Sequence, residues 1–150
     1  MTDDPLYRRE MLRLAADATG AGTLPAPDGV GDAHNPVCGD RVTVTLALAA
    51  GRVTALAHQT HACILTQASA ALLAGAAPGQ SPATLTGLAD RVRAWLADGG
   101  EAPPGYAVFD GVTPHAGRHR CVLLPLEAAL AALKQAQEAA EGPQRQAGSI

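Results

Sequence analysis

The residues best suited to chemistry in this chain are three cysteines and one aspartate. Cys38 stands in the run "NPVCGDRV", with Asp40 two residues on, and Cys63 and Cys121 follow at gaps of 25 and 58 positions. The thiolate is the form of cysteine that binds metal ions and attacks sulfur. None of the three falls in the middle of an expected element. Cys38 precedes a strand, Cys63 lies where a strand gives way to a helix, and Cys121 lies where a long loop enters the last helix. A helix N-terminus favours the thiolate. Three sulfurs and one carboxylate oxygen suit a tetrahedral Zn2+ site, or an iron–sulfur site with one labile corner. There is no C-x-x-C pair, so a zinc ribbon is excluded. The spacing alone leaves open that the cysteines are scattered small hydrophobes and that Asp40 is a turn residue.

The five histidines, His34, His58, His61, His115 and His119, read as exposed loop or strand residues. His61 and His119 each stand two residues before a cysteine and are candidates for alternative ligands or for groups that support the ligands. A cysteine–histidine nucleophile built on Cys63 would explain neither Asp40 nor the other two thiols. Arg41 and Arg120, each beside a candidate ligand, read as surface charge or as partners for a carboxylate.

These residues need elements to position them. Residues 6–17 carry Leu6, Met11, Leu12 and Leu14 among charges, the pattern of an amphipathic helix. The Gly/Pro-rich residues 19–36 read as loop. Val42, Val44, Leu46 and Leu48 then alternate with Thr43, Thr45 and Ala47, and a second β-rich run follows "AAGR"; this is a half-buried hairpin. Residues 62–75 read as a helix ending at Gly75. The next helix has Ser81 as N-cap, Pro82 at its first position, Gly99 and Gly100 as its stop, and an apolar stripe of Leu85, Leu88, Val92, Trp95 and Leu96. Residues 101–120 read as a long loop with a short strand at 106–109, and the last helix is expected to begin at Pro125. The result is a single α+β domain over residues 1–142, a small antiparallel sheet with helices packed on it, and a disordered tail at 143–150.

Composition narrows the function. At 47 % apolar and 3 % aromatic, the core must be built from Ala, Leu and Val. A net charge of −3 with mixed signs offers no basic face for nucleic acid. No window approaches the roughly 18 apolar residues of a membrane span. The charged start "MTDDPLYRRE" has no apolar segment, so a cytoplasmic protein is expected, and there thiols are free, catalytic or metal-bound rather than paired.

Taken in order, "NPVCGDRVTVTL", "HACILTQASAALLAG" and "GRHRCVLLPLEAAL" resemble the three cysteine motifs of the U-type iron–sulfur cluster scaffold family, which comprises IscU, SufU and the N-terminal part of NifU. The opening "LYRREML" is similar to that family's first helix, so the resemblance spans residues 6–133. The 58-position gap before Cys121 is similar to the SufU branch, which carries an insertion there. The Leu-Pro-Pro-Val-Lys chaperone motif of IscU is replaced by "VTPHAGRHR", so no dedicated chaperone is implied.

The resemblance implies an IscU-like fold. It implies that Cys38, Asp40, Cys63 and Cys121 are the ligands of Zn2+, or of iron in a [2Fe–2S] cluster built on the three cysteines. It implies further that Cys38 accepts persulfide sulfur from a cysteine desulfurase, and that apo iron–sulfur proteins are the recipients downstream. Three roles follow from it: a zinc-dependent sulfur relay, a scaffold for cluster assembly, and a structural zinc module that has lost transfer. The chain departs from the family at "THAC", where glycine usually precedes the second cysteine, at "AADATGAGTL", which replaces Asn-Pro-Arg-Asn, and at Pro125.

Overall fold

The structure is a computed structural model; it describes residues 8–37 and 39–149, with side chains as far as residue 140. Helix α1 (Arg9–Asp17) leads into strands β1 (Gly29–Asn35), β2 (Asp40–Ala49) and β3 (Arg52–His61). Helices α2 (Ile64–Ala76) and α3 (Pro82–Asp98) follow, then a 3-10 segment at Tyr106–Val112, then α4 (His119–Ser149). The three strands form one antiparallel sheet in the order β1-β2-β3. With helices packed against it, the domain is α+β, as its sequence pattern requires.

The hairpin and α3 form where the local signals put them. Val42, Val44 and Leu46 alternate toward the core, and Ala50 and Gly51 both turn with positive φ, 54° and 75°. That pair of conformations makes the two-residue turn whose twist matches a hairpin. Ser81 Oγ accepts the Thr84 N–H at 3.1 Å and Pro82 opens α3. Leu85, Val92, Trp95 and Leu96 are buried, and Leu88 packs against them half-buried.

Three expectations are corrected. The Gly/Pro-rich segment is not all loop: β1 pairs with β2 from Gly29↔Leu46 to Asn35↔Asp40. Its glycines are present because α4 crosses close above it. A Cβ at Gly29 or Gly31 would collide with the backbone of Ala132 and Ala128 respectively. Residues Tyr106–Val112 form a 3-10 segment, not a strand. Its three-residue repeat puts Tyr106 and Phe109 on one face, both buried, with ring centroids 6.0 Å apart. Helix α4 begins at His119, six residues before Pro125. Pro125 therefore lies inside the helix, where it has no N–H to offer the Cys121 carbonyl four residues back.

Helix α4 packs along β1 and β2, α2 packs against β3, α1 and α4, and α3 lies against α4. Helix α2 is the most enclosed: Leu65, Thr66, Ala68, Ser69, Ala70, Ala71, Leu73 and Ala74 are all buried. Small side chains on nearly every face let it sit at the centre of the domain. The boundary expected at residue 142 falls within α4, beyond the last described side chain. No helix is long and apolar enough to cross a membrane among the described residues.

Candidate metal centre

The fold brings Asp40, Cys63 and Cys121 together from three separate elements. Asp40 is the first residue of β2, Cys63 is the N-cap of α2, and Cys121 is the third residue of α4. One ligand atom from each lies within 4.8 Å of the other two. Thiolates of a tetrahedral zinc ion stand about 3.8 Å apart, so a small closure suffices to bring the group onto one ion. The donor set, two sulfurs and a carboxylate, has the chemistry that zinc or iron takes. Cys38, expected as the fourth ligand, lies outside the described residues. The turn that carries it is described on both sides: Gly39 N–H donates to the Asn35 carbonyl at 2.8 Å, and Val37 N–H donates to Asn35 Oδ1 at 3.2 Å. Asn35 thus closes the turn with its own side chain, a role that the sequence reading did not assign.

Asp40 is 5 % exposed, and α2 supplies both of its hydrogen-bond donors. Its Oδ1 accepts the Cys63 N–H at 3.2 Å and its Oδ2 accepts the Thr66 hydroxyl at 3.0 Å. The same Thr66 oxygen is 3.4 Å from Cys63 Sγ. Cys63 is half-buried, and its thiol is lowered from an ordinary 9.0 to about 6. The hydrogen bond from Cys121 is the chief cause; burial works against it, and Thr66 adds to the lowering. Cys121 is 2 % exposed.

Two further bonds hold these elements in register. Ser69 Oγ donates to the Val122 carbonyl at 2.6 Å, fixing α2 to the first turn of α4. This gives a physical reason for the serine in the motif "CILTQAS". Arg120 donates to the His34 carbonyl at 3.2 Å and pairs with Glu127 at 3.4 Å, tying α4 to β1. Arg41 pairs with Asp32 across the exposed side of the sheet at 3.0 Å.

The histidines take no part in the ligand group among the described residues. His119 is bonded to the Thr113 carbonyl at 2.9 Å, and His61 is exposed on the ladder opposite Arg41. His58 corrects the expectation of exposure. It is 4 % exposed, and burial lowers its pKa. Its Nε2 donates to the Thr19 carbonyl at 2.9 Å, a tautomer assigned from that acceptor, and its Nδ1 meets the Thr60 hydroxyl at 2.8 Å. It pins the segment after α1 to β3. Thr66 was also missed, since a threonine in the first turn of a helix carries no signal of a partner 26 positions away.

With the geometry in hand, similarity to known proteins can be weighed. Residues 6–91, which include Cys38, Asp40 and Cys63, match the family model described as the NifU-like N terminal domain. The bifunctional protein NifU/MnmA of Rubrobacter xylanophilus is 31 % identical over 102 residues, 66 % of this chain. The matched part is 20 % of that relative, so the chain spans only about a fifth of its length. The crystal structure of a nitrogen-fixing NifU-like protein (N-terminal) from Brucella abortus is 32 % identical and superposes with a TM-score of 0.85, covering 92 % of this chain and 99 % of that one. A protein from Fervidobacterium islandicum, described as an iron–sulfur cluster assembly scaffold for the SUF system, has a TM-score of 0.78 at 20 % identity, over 87 % of this chain and 98 % of its own. At that identity the second likeness speaks for the fold alone. The chain belongs to the NifU-like N-terminal domain family, the U-type scaffold family that its cysteine motifs resemble.

Proposed function

We propose that this protein serves iron–sulfur cluster biogenesis, with Cys38, Asp40, Cys63 and Cys121 as the ligands of one metal centre. The observation that carries this reading is the meeting of Asp40, Cys63 and Cys121 within 4.8 Å from elements 23 and 58 positions apart in sequence. Cys38 is the acceptor of sulfur from a cysteine desulfurase. Its thiolate attacks the outer sulfur of the desulfurase persulfide; the sulfur–sulfur bond breaks, the desulfurase thiolate leaves, and Cys38 carries the persulfide. No external oxidant or reductant is needed, because the sulfane sulfur moves with its oxidation state unchanged. Cys38, Asp40, Cys63 and Cys121 would hold Zn2+, which when bound would keep the thiolates deprotonated at neutral pH. Asp40 is the ligand suited to yield, since a carboxylate oxygen is displaced from such a metal more easily than a thiolate.

A second reading makes the three cysteines the seat of a [2Fe–2S] cluster that is assembled here and passed to apo iron–sulfur proteins. It is supported by the match of residues 6–91 to the NifU-like N terminal domain, a scaffold family. The relay is tested by Cys38→Ser in an assay of desulfurase turnover. Loss of activation by this protein is the expected result; unchanged activation would exclude Cys38 as the acceptor and leave the scaffold reading.

A further inference from the structure

Thr66 is fully buried in the first turn of α2. A threonine in a helix ordinarily turns its hydroxyl to solvent or back to the carbonyl three or four residues before it. Here the hydroxyl instead donates to Asp40 Oδ2 at 3.0 Å and rests 3.4 Å from Cys63 Sγ. It therefore touches two of the three residues of the candidate centre. The Asp40 carboxylate is held by one donor on each oxygen, the Cys63 N–H on Oδ1 and the Thr66 O–H on Oδ2. Two bonds on two oxygens fix the plane of the carboxylate, whereas the Cys63 N–H alone would let it swing about that single contact. Each oxygen retains a second lone pair for an ion.

We propose that Thr66 is a positioning residue of the metal centre, whose hydroxyl holds Asp40 in the orientation that lets it join Cys63 and Cys121 around one ion. This rests on the reading that the group holds metal. Thr66 acts through Asp40 and is not itself a ligand. Valine keeps the branched shape and removes the hydroxyl; serine restores the hydroxyl and removes the methyl group.

The test is Zn2+ affinity, measured by competition with a chromophoric chelator, together with the visible spectrum of the Co2+-loaded protein. Wild type, Thr66→Val, Thr66→Ser, Asp40→Ala and the Asp40→Ala/Thr66→Val double variant are compared. Thr66→Val is expected to lose about 10- to 100-fold in Zn2+ affinity, the usual loss when a ligand's supporting hydrogen bond is removed. Its Co2+ bands should shift, and Thr66→Ser should return both properties to near wild type. The double variant should bind no more weakly than Asp40→Ala alone, since a residue acting through Asp40 has nothing left to position. If Thr66→Val does not fold, Thr66→Ala carries the same expectation. Wild-type affinity and spectrum in the hydroxyl-free variant, or losses that simply add in the double variant, would overturn the proposal while the metal reading stands. Failure of wild type itself to bind Zn2+ or Co2+ would overturn both.

Discussion

Two helices in this domain start in opposite ways. Helix α3 caps itself: Ser81 Oγ accepts the Thr84 N–H three residues on, and Pro82 presets the first turn. Helix α2 follows Cys63, whose side chain makes no cap hydrogen bond of the Ser81 kind although the Thr66 N–H helps to lower its thiol, and its first turn has no acidic residue. The stabilising anion comes instead from the sheet, as Asp40 accepts from the Cys63 N–H and the Thr66 hydroxyl. The lesson is a division of labour. Where a helix has only to stand, its cap is written next to it. Where the helix N-terminus meets the candidate ligand group, the cap position holds sulfur and a remote carboxylate accepts in its place.

This contrast can be broken most strongly at Asp40. In metal-free protein, Asp40→Ala should cost about 2 kcal/mol in urea unfolding, because it takes the acceptor from the part-buried Cys63 N–H and leaves the buried Thr66 hydroxyl only the Cys63 sulfur. A loss well under 1 kcal/mol would mean that Asp40 does not cap α2. Ser81→Ala, the matching change at α3, should cost about 1 kcal/mol and leave metal affinity unchanged. Cys63→Ser should invert the usual pattern. It removes a ligand and with it metal binding, yet it gives α2 a self-capping residue, so below pH 6, where the thiol is protonated both folded and unfolded, the metal-free protein should gain up to about 1 kcal/mol. A clear loss of stability would show that the sulfur itself supports the helix start.

The last expected difference is one of pH. The α3 start carries no titrating side chain, whereas Cys63 is held at about 6 against 9.0 when unfolded, chiefly by Cys121. A thiol depressed on folding contributes stability that is complete above the unfolded value and is lost as pH falls through the folded one. Metal-free protein should therefore grow more stable between pH 6 and 9. In Cys38→Ser protein, alkylation of Cys63 should reach half its limiting rate near pH 6; a midpoint near 9 would contradict the geometry of the thiol pair.

How much of this was legible in the sequence follows the same division. The hairpin and α3 were readable because alternation, a Ser-Pro start and a Gly-Gly stop are signals between neighbours. Strand β1 was hidden because Gly29 and Gly31 answer to the backbone of α4, about 100 positions away, and glycine on its own reads as loop. The start of α4 was misplaced because proline is a strong local breaker, yet packing of the helix along β1 and β2 holds it through Pro125. Asp40 was identified as a candidate ligand through its motif, but its capping of α2 depends on a contact that only the fold creates. Thr66 and His58 escaped for the same reason, since their partners are Asp40 and the Thr19 carbonyl.

The central claim, that these ligands form one metal centre for iron–sulfur biogenesis, meets its most direct test in metal and acid-labile sulfide analysis of protein purified without oxygen. The account predicts about one zinc per chain, or iron with labile sulfide and a visible absorption band. Protein that is folded yet holds neither zinc nor iron would contradict it.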